Sequence, residues 1–304
     1  MNTNNSVLLI ADSGGTKTLW TLADTNGNPL CTLKAEGINP LLLNDEDVVR
    51  KMQPALQMLQ QQFDSNSATP SISLNFYGSG VTRLQESRMQ TLLHQCFAPL
   101  ACLDNIHAHS DMLGAARALA QHRDGIVCIL GTGSNSCHYD GLAIVEQTPS
   151  LGYILGDEGG AVYMGKMLLN TIYKGLCDSS IKRAFEYETG ENLQSIIDKV
   201  YRQPMPNTFI ASLAHFIHNH IDEYAVLSDI VENSFKTFIR HNILPYHCST
   251  LPVHALGGIA WVFQKQWREA LHDASLQPGS IAQSPVEGLL RFHSQHSPTP
   301  LPEK

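Results

Sequence analysis

Short apolar runs that end in glycine alternate along the chain with longer segments of helical period. Residues 7–11 form a continuous apolar run, the pattern of a strand buried on both faces. Asp12-Ser13-Gly14-Gly15-Thr16 follows, then a second strand pattern over 17–23, and the turn Asn26-Gly27-Asn28-Pro29 leads into a third. After Gly37-Ile38-Asn39-Pro40 the spacing predicts a helix over 45–63, interrupted early by Pro54, and a strand over 72–77. A helix over 84–96, a short strand over 106–109 that ends at Ser110-Asp111, and an Ala- and Leu-rich helix over 112–120 complete the first half. Strand patterns on both sides of the first glycines make them a hairpin tip. A Rossmann loop or P-loop would instead run from strand into helix.

The second half opens in the same way. An apolar strand over 125–130 meets Gly131-Thr132-Gly133-Ser134, and strand patterns continue over 135–139 and 142–145. A helical block over 158–243 then shows apolar residues at i, i+3 and i+4, as in 162–172 and 230–239, and reads as an insertion. Alternation resumes with a strand over 253–256, Gly257-Gly258, a helix over 259–271, a strand over 280–283 and a helix over 285–292 with Pro285 in its first turn. The tail from Ser294 is polar and Pro-rich and reads as frayed. Two strand–glycine hairpin–strand openings, each followed by helix and strand alternation, predict an α/β protein of two similar domains that face each other across a cleft. The expected division is 1–112, completed by the C-terminal helix at 285–304, and 113–284 with the helical insertion at about 158–245.

Composition narrows the partners. Of 304 residues, 20 are Lys or Arg and 28 are Asp or Glu, a formal charge of −8 without a basic run, which argues against nucleic acid. The longest apolar runs fall far short of the roughly 20 residues that span a bilayer. The N-terminal segment lacks a cationic stretch and a small-residue cleavage site, so a cytoplasmic protein is expected. Seven cysteines without a CxxC pair read as free buried thiols in a reducing compartment.

Four loops carry the candidate chemistry. Gly14 and Gly15 let backbone N–H groups approach a phosphate, Thr16 adds a hydroxyl and Lys17 a charge. Asp12, at the strand end, suits Mg²⁺ through water better than direct phosphate contact. Gly131, Thr132, Gly133 and Ser134 repeat the device, and Asn135 follows. Asp111 either caps its helix or, aimed into the cleft, orients and deprotonates an acceptor hydroxyl. In 151–160 the acids Asp157 and Glu158 stand among glycines, next to Gly152 and Tyr153, a grouping suited to sugar hydroxyls, although Asp157 also fits a helix cap. Asn39 either adds an amide to the same ligand or makes an Asx-turn. Gly257 and Gly258 let a flat group such as adenine lie on the backbone. His215, His218 and His220 belong to an amphipathic helix and lack the acids or thiols that complete a metal set.

In order, DSGGTKT (12–18), GINP (37–40), HSD (109–111), ILGTGSNS (129–136), LGYILGDEGG (151–160) and ALGGIA (255–260) resemble N-acetylglucosamine kinases of the BadF/BadG/BcrA/BcrD ATPase group, within the superfamily of sugar kinases, heat-shock ATPases and actin. The resemblance implies two ribonuclease-H-type domains, ATP and Mg²⁺ in the cleft, a homodimer, and transfer of the γ-phosphate to the 6-hydroxyl of an amino sugar. It also implies the roles. Asp12 organises magnesium, and Gly14, Gly15 and Thr16 with Gly131, Thr132, Gly133 and Ser134 hold phosphates. Asp111 is the base, while Asn39, Asn135, Gly152, Tyr153 and Asp157 contact the sugar. Gly257 and Gly258 receive adenosine, and the final helix crosses back to the first domain. Ser13 stands where a third glycine is common and Tyr153 where the animal enzymes carry tryptophan. Reaction type is therefore better marked than substrate, which is N-acetylglucosamine, N-acetylmuramate or glucosamine. Two other readings of the scaffold are a dehydratase-activating ATPase, which needs cluster-binding thiolates, and a sugar or nucleotide sensor, which has no need of both Asp12 and Asp111. The Cys-rich zinc loop of the related repressors and kinases is missing.

Overall fold

Apolar continuity decides which strands lie in the middle of a sheet. In the computed structural model, which describes residues 6–63 and 71–294, β1 (Ser6–Ser13) buries Leu9, Ile10 and Ala11 completely. It pairs antiparallel with β2 (Lys17–Asp24), which pairs antiparallel with β3 (Pro29–Glu36). β3 alternates exposed and half-buried positions, as a solvated edge strand does. α1 (Asp45–Gln62) starts where the Asn44 side chain accepts the Asp47 N–H at 2.8 Å, with three acids in its first turn that suit the positive helix end. β4 (Ser71–Gly78) lies parallel to β1, and after α2 (Glu86–Phe97), β5 (Cys102–Ser110) lies parallel to β4. α3 (Asp111–Ala120) follows without a loop. The strand order is β3-β2-β1-β4-β5.

The second unit rebuilds this order. β6 (Asp124–Leu130), β7 (Ser134–Asp140) and β8 (Ile144–Glu146) run antiparallel. Helices then follow: α4 (Gly152–Leu155), α5 (Ala161–Tyr173), α6 (Ser179–Thr189), α7 (Leu193–Tyr201), α8 (Pro206–Ser212), α9 (Ala214–His220) and α10 (Ala225–Phe238). α10 continues into a π-helical turn, Ile239–Ile243, and a 3-10 turn, Leu244–Tyr246. β9 (Pro252–Leu256) returns parallel to β6, and α11 (Gly258–Val262) and α12 (Gln264–Asp273) lead to β10 (Gln277–Ala282), parallel to β9. The sheet reads β8-β7-β6-β9-β10, the same ribonuclease-H-type order as the first. α13 (Val286–Ser294) then rejoins the first unit.

Both faces of the first sheet are covered. Leu9, Ala11, Leu74 and Phe76 share one core with α1 and α2, where Trp20 packs 6.0 Å from the Phe76 ring and 5.7 Å from Phe97. Leu8, Ile10 and Tyr77 share the other with Ala118, Leu289 and Leu290. In the second unit, Ile126, Cys128 and Leu130 of β6 pack with Met164, Phe235, Phe238 and Trp267.

Several boundaries differ from the sequence expectation. α1 passes through Pro54 unbroken. The buried Val48, Met52, Ala55, Leu56 and Leu59 outweigh the roughly 3 kcal/mol that an interior proline costs. The expected helix over 259–271 divides at Phe263 (φ −103°, ψ 32°), which lets Phe263 and Trp267 both bury. The expected strands over 142–145 and 280–283 are Ile144–Glu146 and Gln277–Ala282, and the helix expected from 158 begins at Ala161. The first unit ends at Gln121 rather than 112, because α3 packs on its sheet. Ser294 closes α13 instead of fraying, and the rest of the expected tail, 295–304, lies outside the described residues.

Close helix packing yields a stability prediction. A Cβ on Gly165 of α5 would overlap the Ile210 carbonyl oxygen of α8. Alanine in a helix gains about 1 kcal/mol over glycine, less than the cost of moving backbone against backbone. Gly165→Ala is therefore expected to lower unfolding stability by about 1–3 kcal/mol, read from the urea midpoint.

Candidate active site

In the first unit, register brings the acids to one end of the sheet. Asp12 pairs with Leu19 on one side and Tyr77 on the other, and Tyr77 pairs with His109. Burial, and then the neighbouring Asp111 carboxylate, pushes the Asp12 carboxyl up to about 6, with Lys17 only partly offsetting them. Asp111 is also pushed upward, mainly by burial, while the Met112 N–H, 2.9 Å from Oδ1, acts in the opposite direction. The helix cap is Ser110, whose hydroxyl accepts the Leu113 N–H at 3.2 Å, so Asp111 is relieved of that duty.

Histidine does not neutralise these acids. Burial, with Arg117 and His107 nearby, holds the His109 imidazole down at about 4. Arg117 is itself engaged, donating to the Tyr77 hydroxyl at 2.9 Å, which in turn lies 2.8 Å from His293 Nε2.

The hairpin tip is held by Ser13, which the sequence marked only as a departure from glycine. Ser13 Oγ accepts the Ile38 N–H at 2.9 Å and lies 2.7 Å from Thr18 Oγ1, which donates to the Glu36 carbonyl. A Cβ on Gly37 would stand 2.5 Å from the Gly14 carbonyl oxygen, so the 37–40 turn presses on the glycine tip. The only sequence signal for this was Ser13 in place of glycine. At the tip, Gly14 N–H donates to the Lys17 carbonyl at 2.9 Å, and Gly15, Thr16 and Lys17 are exposed. A Cβ on Gly15 would meet nothing within 4 Å, so packing does not require glycine there. Asn39 makes the Asx-turn, accepting the Leu41 N–H at 3.0 Å, which leaves its NH₂ end for another partner.

In the second unit, the Gly131–Ser134 loop takes support from α5, whose Ala161 and Val162 N–H groups donate to the Gly131 and Thr132 carbonyls at 2.9 and 3.0 Å. Asp157, in left-handed backbone (φ 59°), lays its carboxylate against Gly133 and accepts the Ser134 N–H at 3.3 Å. It does not cap α5, whose cap is Gly160. Burial pushes Asp157 upward, with the Ser134 hydrogen bond and Lys166 opposing. Asn135 Oδ1 accepts the Ser136 N–H at 2.9 Å and the Gln147 amide at 3.1 Å. Gly152 and Tyr153 open α4, where Lys166 donates to the Tyr153 carbonyl at 2.7 Å. Gln147 and Lys166, both unremarked in the sequence, thus hold two candidate sugar contacts. The Gly257 backbone (φ 120°) lies so close to the Leu130 carbonyl that a side chain would overlap it, whereas Gly258 and Gly131 face open space.

Each unit thus gathers its own set. In the first these are Asp12, Gly14, Gly15, Thr16, Lys17, Asn39 and Asp111. In the second, Asp157 lies against the Gly131–Ser134 loop and Gly257 against Leu130 at its start. His220 is held by Glu188 and Glu223 at 2.5 and 3.0 Å, and among the described residues no group of three or more His, Cys, Asp or Glu side chains could hold a metal by itself.

Residues 11–221 match the model of the BadF/BadG/BcrA/BcrD ATPase family. The fold is similar to a Porphyromonas gingivalis protein assigned as an N-acetylglucosamine kinase, at 35% identity and TM-score 0.86 over 94% of this chain and 98% of that one. A Chromobacterium violaceum protein with the same assignment gives 18% identity and TM-score 0.71, over 94% and 98%. A Streptomyces griseus ROK-family glucokinase solved with glucose and AMPPNP gives 13% and 0.55, over 94% and 98%, a likeness of fold. Among curated proteins, none matches the chain.

The raised Asp12 carboxyl has a stability consequence. Folding favours its protonated form, so this contribution is complete below the ordinary value of 3.8 and is lost as pH rises through about 6. Asp12→Asn, in protein free of nucleotide and divalent cation, is expected to raise stability by about 1–3 kcal/mol at pH 8 and to change it little at pH 4. Urea unfolding at the two pH values checks this.

Proposed function

We propose, for a chain that belongs to the BadF/BadG/BcrA/BcrD ATPase family, that it transfers the γ-phosphate of ATP to the 6-hydroxyl of an amino sugar, N-acetylglucosamine or its relatives N-acetylmuramate and glucosamine. The chain is a sugar kinase that uses ATP; the amino sugar, the 6-position and the residue roles are our reading. The observation that carries it is Asp111, a carboxylate released from capping by Ser110 and held beside Asp12. The 35% identity to the Porphyromonas gingivalis protein across nearly the whole chain supports the substrate class.

In this reading Asp111 accepts the proton of the sugar hydroxyl as its oxygen attacks the γ-phosphorus, and the bond from that phosphorus to the β-phosphate oxygen breaks, releasing ADP. Because Asp111 is pushed upward, its basic form is lost at a higher pH than for an ordinary carboxylate. Gly14 and Gly15 shape the first tip, where the Gly15 N–H, the Thr16 hydroxyl and the Lys17 ammonium meet phosphate oxygens, and Thr132 and Gly133 N–H groups with the Thr132 and Ser134 hydroxyls do so in the second loop, while the N–H groups of Gly14, Gly131 and Ser134 are held by Lys17, Gly133 and Asp157. Asn39, Asn135, Gly152, Tyr153 and Asp157 hold the sugar, and Gly257 with the open Gly258 receives adenosine.

Two adjacent carboxylates with one partly offsetting lysine fit a hard divalent cation, which commonly takes one or two carboxylates together with substrate phosphates and waters. Asp12, through water, would hold Mg²⁺, whose chemistry is to neutralise phosphate charge. A cytoplasmic homodimer that acts on neither nucleic acid nor membrane belongs to the same reading. Among the described residues no helix is long and apolar enough to cross a membrane.

Coupled ADP release with Mg-ATP, measured against N-acetylglucosamine, N-acetylmuramate, glucosamine, glucose and no sugar, tests the reading. Strong dependence on one amino sugar is expected. Equal ADP formation without sugar would replace transfer with hydrolysis, and preference for glucose would remove the amino-sugar assignment. Asp111→Asn is expected to lower kcat about 10²–10⁴-fold while calorimetric affinities for ATP and sugar stay near the parent values. Retained turnover would remove Asp111 as the base.

A further inference from the structure

The β6–β7 strand pair carries a second set of reactive side chains at the end remote from its glycine loop. Asp124 opens β6, and His138 lies in β7 opposite Ile126. His138 Nε2 is 2.8 Å from Asp124 Oδ1, and its other nitrogen, Nδ1, stands 4.0 Å from Cys248 Sγ. Cys248 follows the 3-10 turn Leu244–Tyr246, and its thiol donates to the Tyr246 carbonyl at 3.1 Å. Between them His247 adopts left-handed backbone (φ 55°), which turns the chain back toward β7. The cysteine is half-buried against the second core, and Asp124 is half-exposed.

These contacts follow the logic of an activated nucleophile. A carboxylate that accepts from Nε2 fixes the imidazole tautomer and leaves the Nδ1 lone pair toward the sulfur. A sulfur–nitrogen separation of 4.0 Å is the looser spacing usual before a reaction partner arrives. Burial without a basic partner makes the other thiols poor nucleophiles. It pushes Cys31, Cys96, Cys128 and Cys177 upward and holds Cys137 at about 12. Cys102 is exposed.

We propose that Cys248 is a modification site for hydrogen peroxide, with His138 as its base and Asp124 as the group that orients the imidazole. The Cys248 S–H turns from the Tyr246 carbonyl to His138 Nδ1 and gives up its proton there, and the thiolate attacks one peroxide oxygen. The O–O bond breaks, and the departing hydroxide takes the proton from His138 as water. Sulfur is oxidised to the sulfenic acid, and one peroxide is reduced to water. This site is independent of the sugar and nucleotide residues.

The test exposes the folded, full-length protein to substoichiometric hydrogen peroxide with dimedone present and follows each cysteine by peptide mass spectrometry. Cys248 is expected to be labelled at least tenfold faster than the more exposed Cys102, and His138→Asn to lower its rate about tenfold. Asp124→Asn, a change at a half-exposed strand end, is expected to lower the rate several-fold; it decides the question if His138→Asn fails to fold by circular dichroism. Cys102 labelled as fast as Cys248, or a Cys248 rate unchanged in folded Asp124→Asn, would overturn the proposal.

Discussion

Two negative charges that repel one another, Asp12 and Asp111, are kept together by the strands that end beside them, and much of the first unit serves this placement. β1 and β5 flank β4, so both acids arrive at the same sheet end, and neither strand can shift without losing its parallel pairing. Ser110 takes over the capping of α3, Met112 N–H satisfies one oxygen of Asp111, and the histidine in register with them stays neutral. The repulsion costs a few kcal/mol at most. The same sheet buries Trp20, Leu22, Leu74 and Phe76 completely, each such side chain contributing about 1.5–3 kcal/mol. Apolar burial therefore dominates, and the fold tolerates the two acids side by side.

The chain makes the same hairpin twice and supports it by different means. In the first unit a hydroxyl, Ser13, ties the tip to the 37–40 turn. In the second the loop carbonyls receive the first N–H groups of α5, and Asp157 reaches back to Ser134. What the two share is a glycine that no neighbour requires, Gly15 or Gly131, next to backbone that is otherwise pinned. For the phosphate role proposed above, a rigid loop with one unobstructed position leaves little ordering to be done when a ligand binds.

The architecture was legible where the signal was local. Continuous apolar runs marked β1 and β6 as buried strands, and glycine between two strand patterns marked the hairpins, so the repeated opening of the two units was readable in the sequence. Pro54 misled because its steric cost is local while the burial that overrides it comes from α2 and β3 side chains far along the chain. The break at Phe263 was hidden for the same reason, since the helical spacing continues through it. Among candidate site residues, Asp12, Asp111 and Asp157 announced themselves by standing beside glycine or a strand end. Ser13, Gln147 and Lys166 act through partners 25, 12 and 13 residues away, and no spacing rule links such pairs.

α13 belongs to the first unit yet is the last described element to be made. Its Leu289 and Leu290 complete the core beneath Leu8, Ile10 and Tyr77, Gly288 sits tightly against Ala118 of α3, and the Gln121 amide donates to the Gly288 carbonyl. During translation, residues 122–284 therefore leave the ribosome while one face of the earlier sheet is covered by α3 alone. At ordinary elongation rates that interval is on the order of ten seconds or more. The later unit can mature first, and the usual N-to-C order of domain completion is inverted. Until the final helix emerges, the part of that sheet face which Leu289 and Leu290 cover stays open to water.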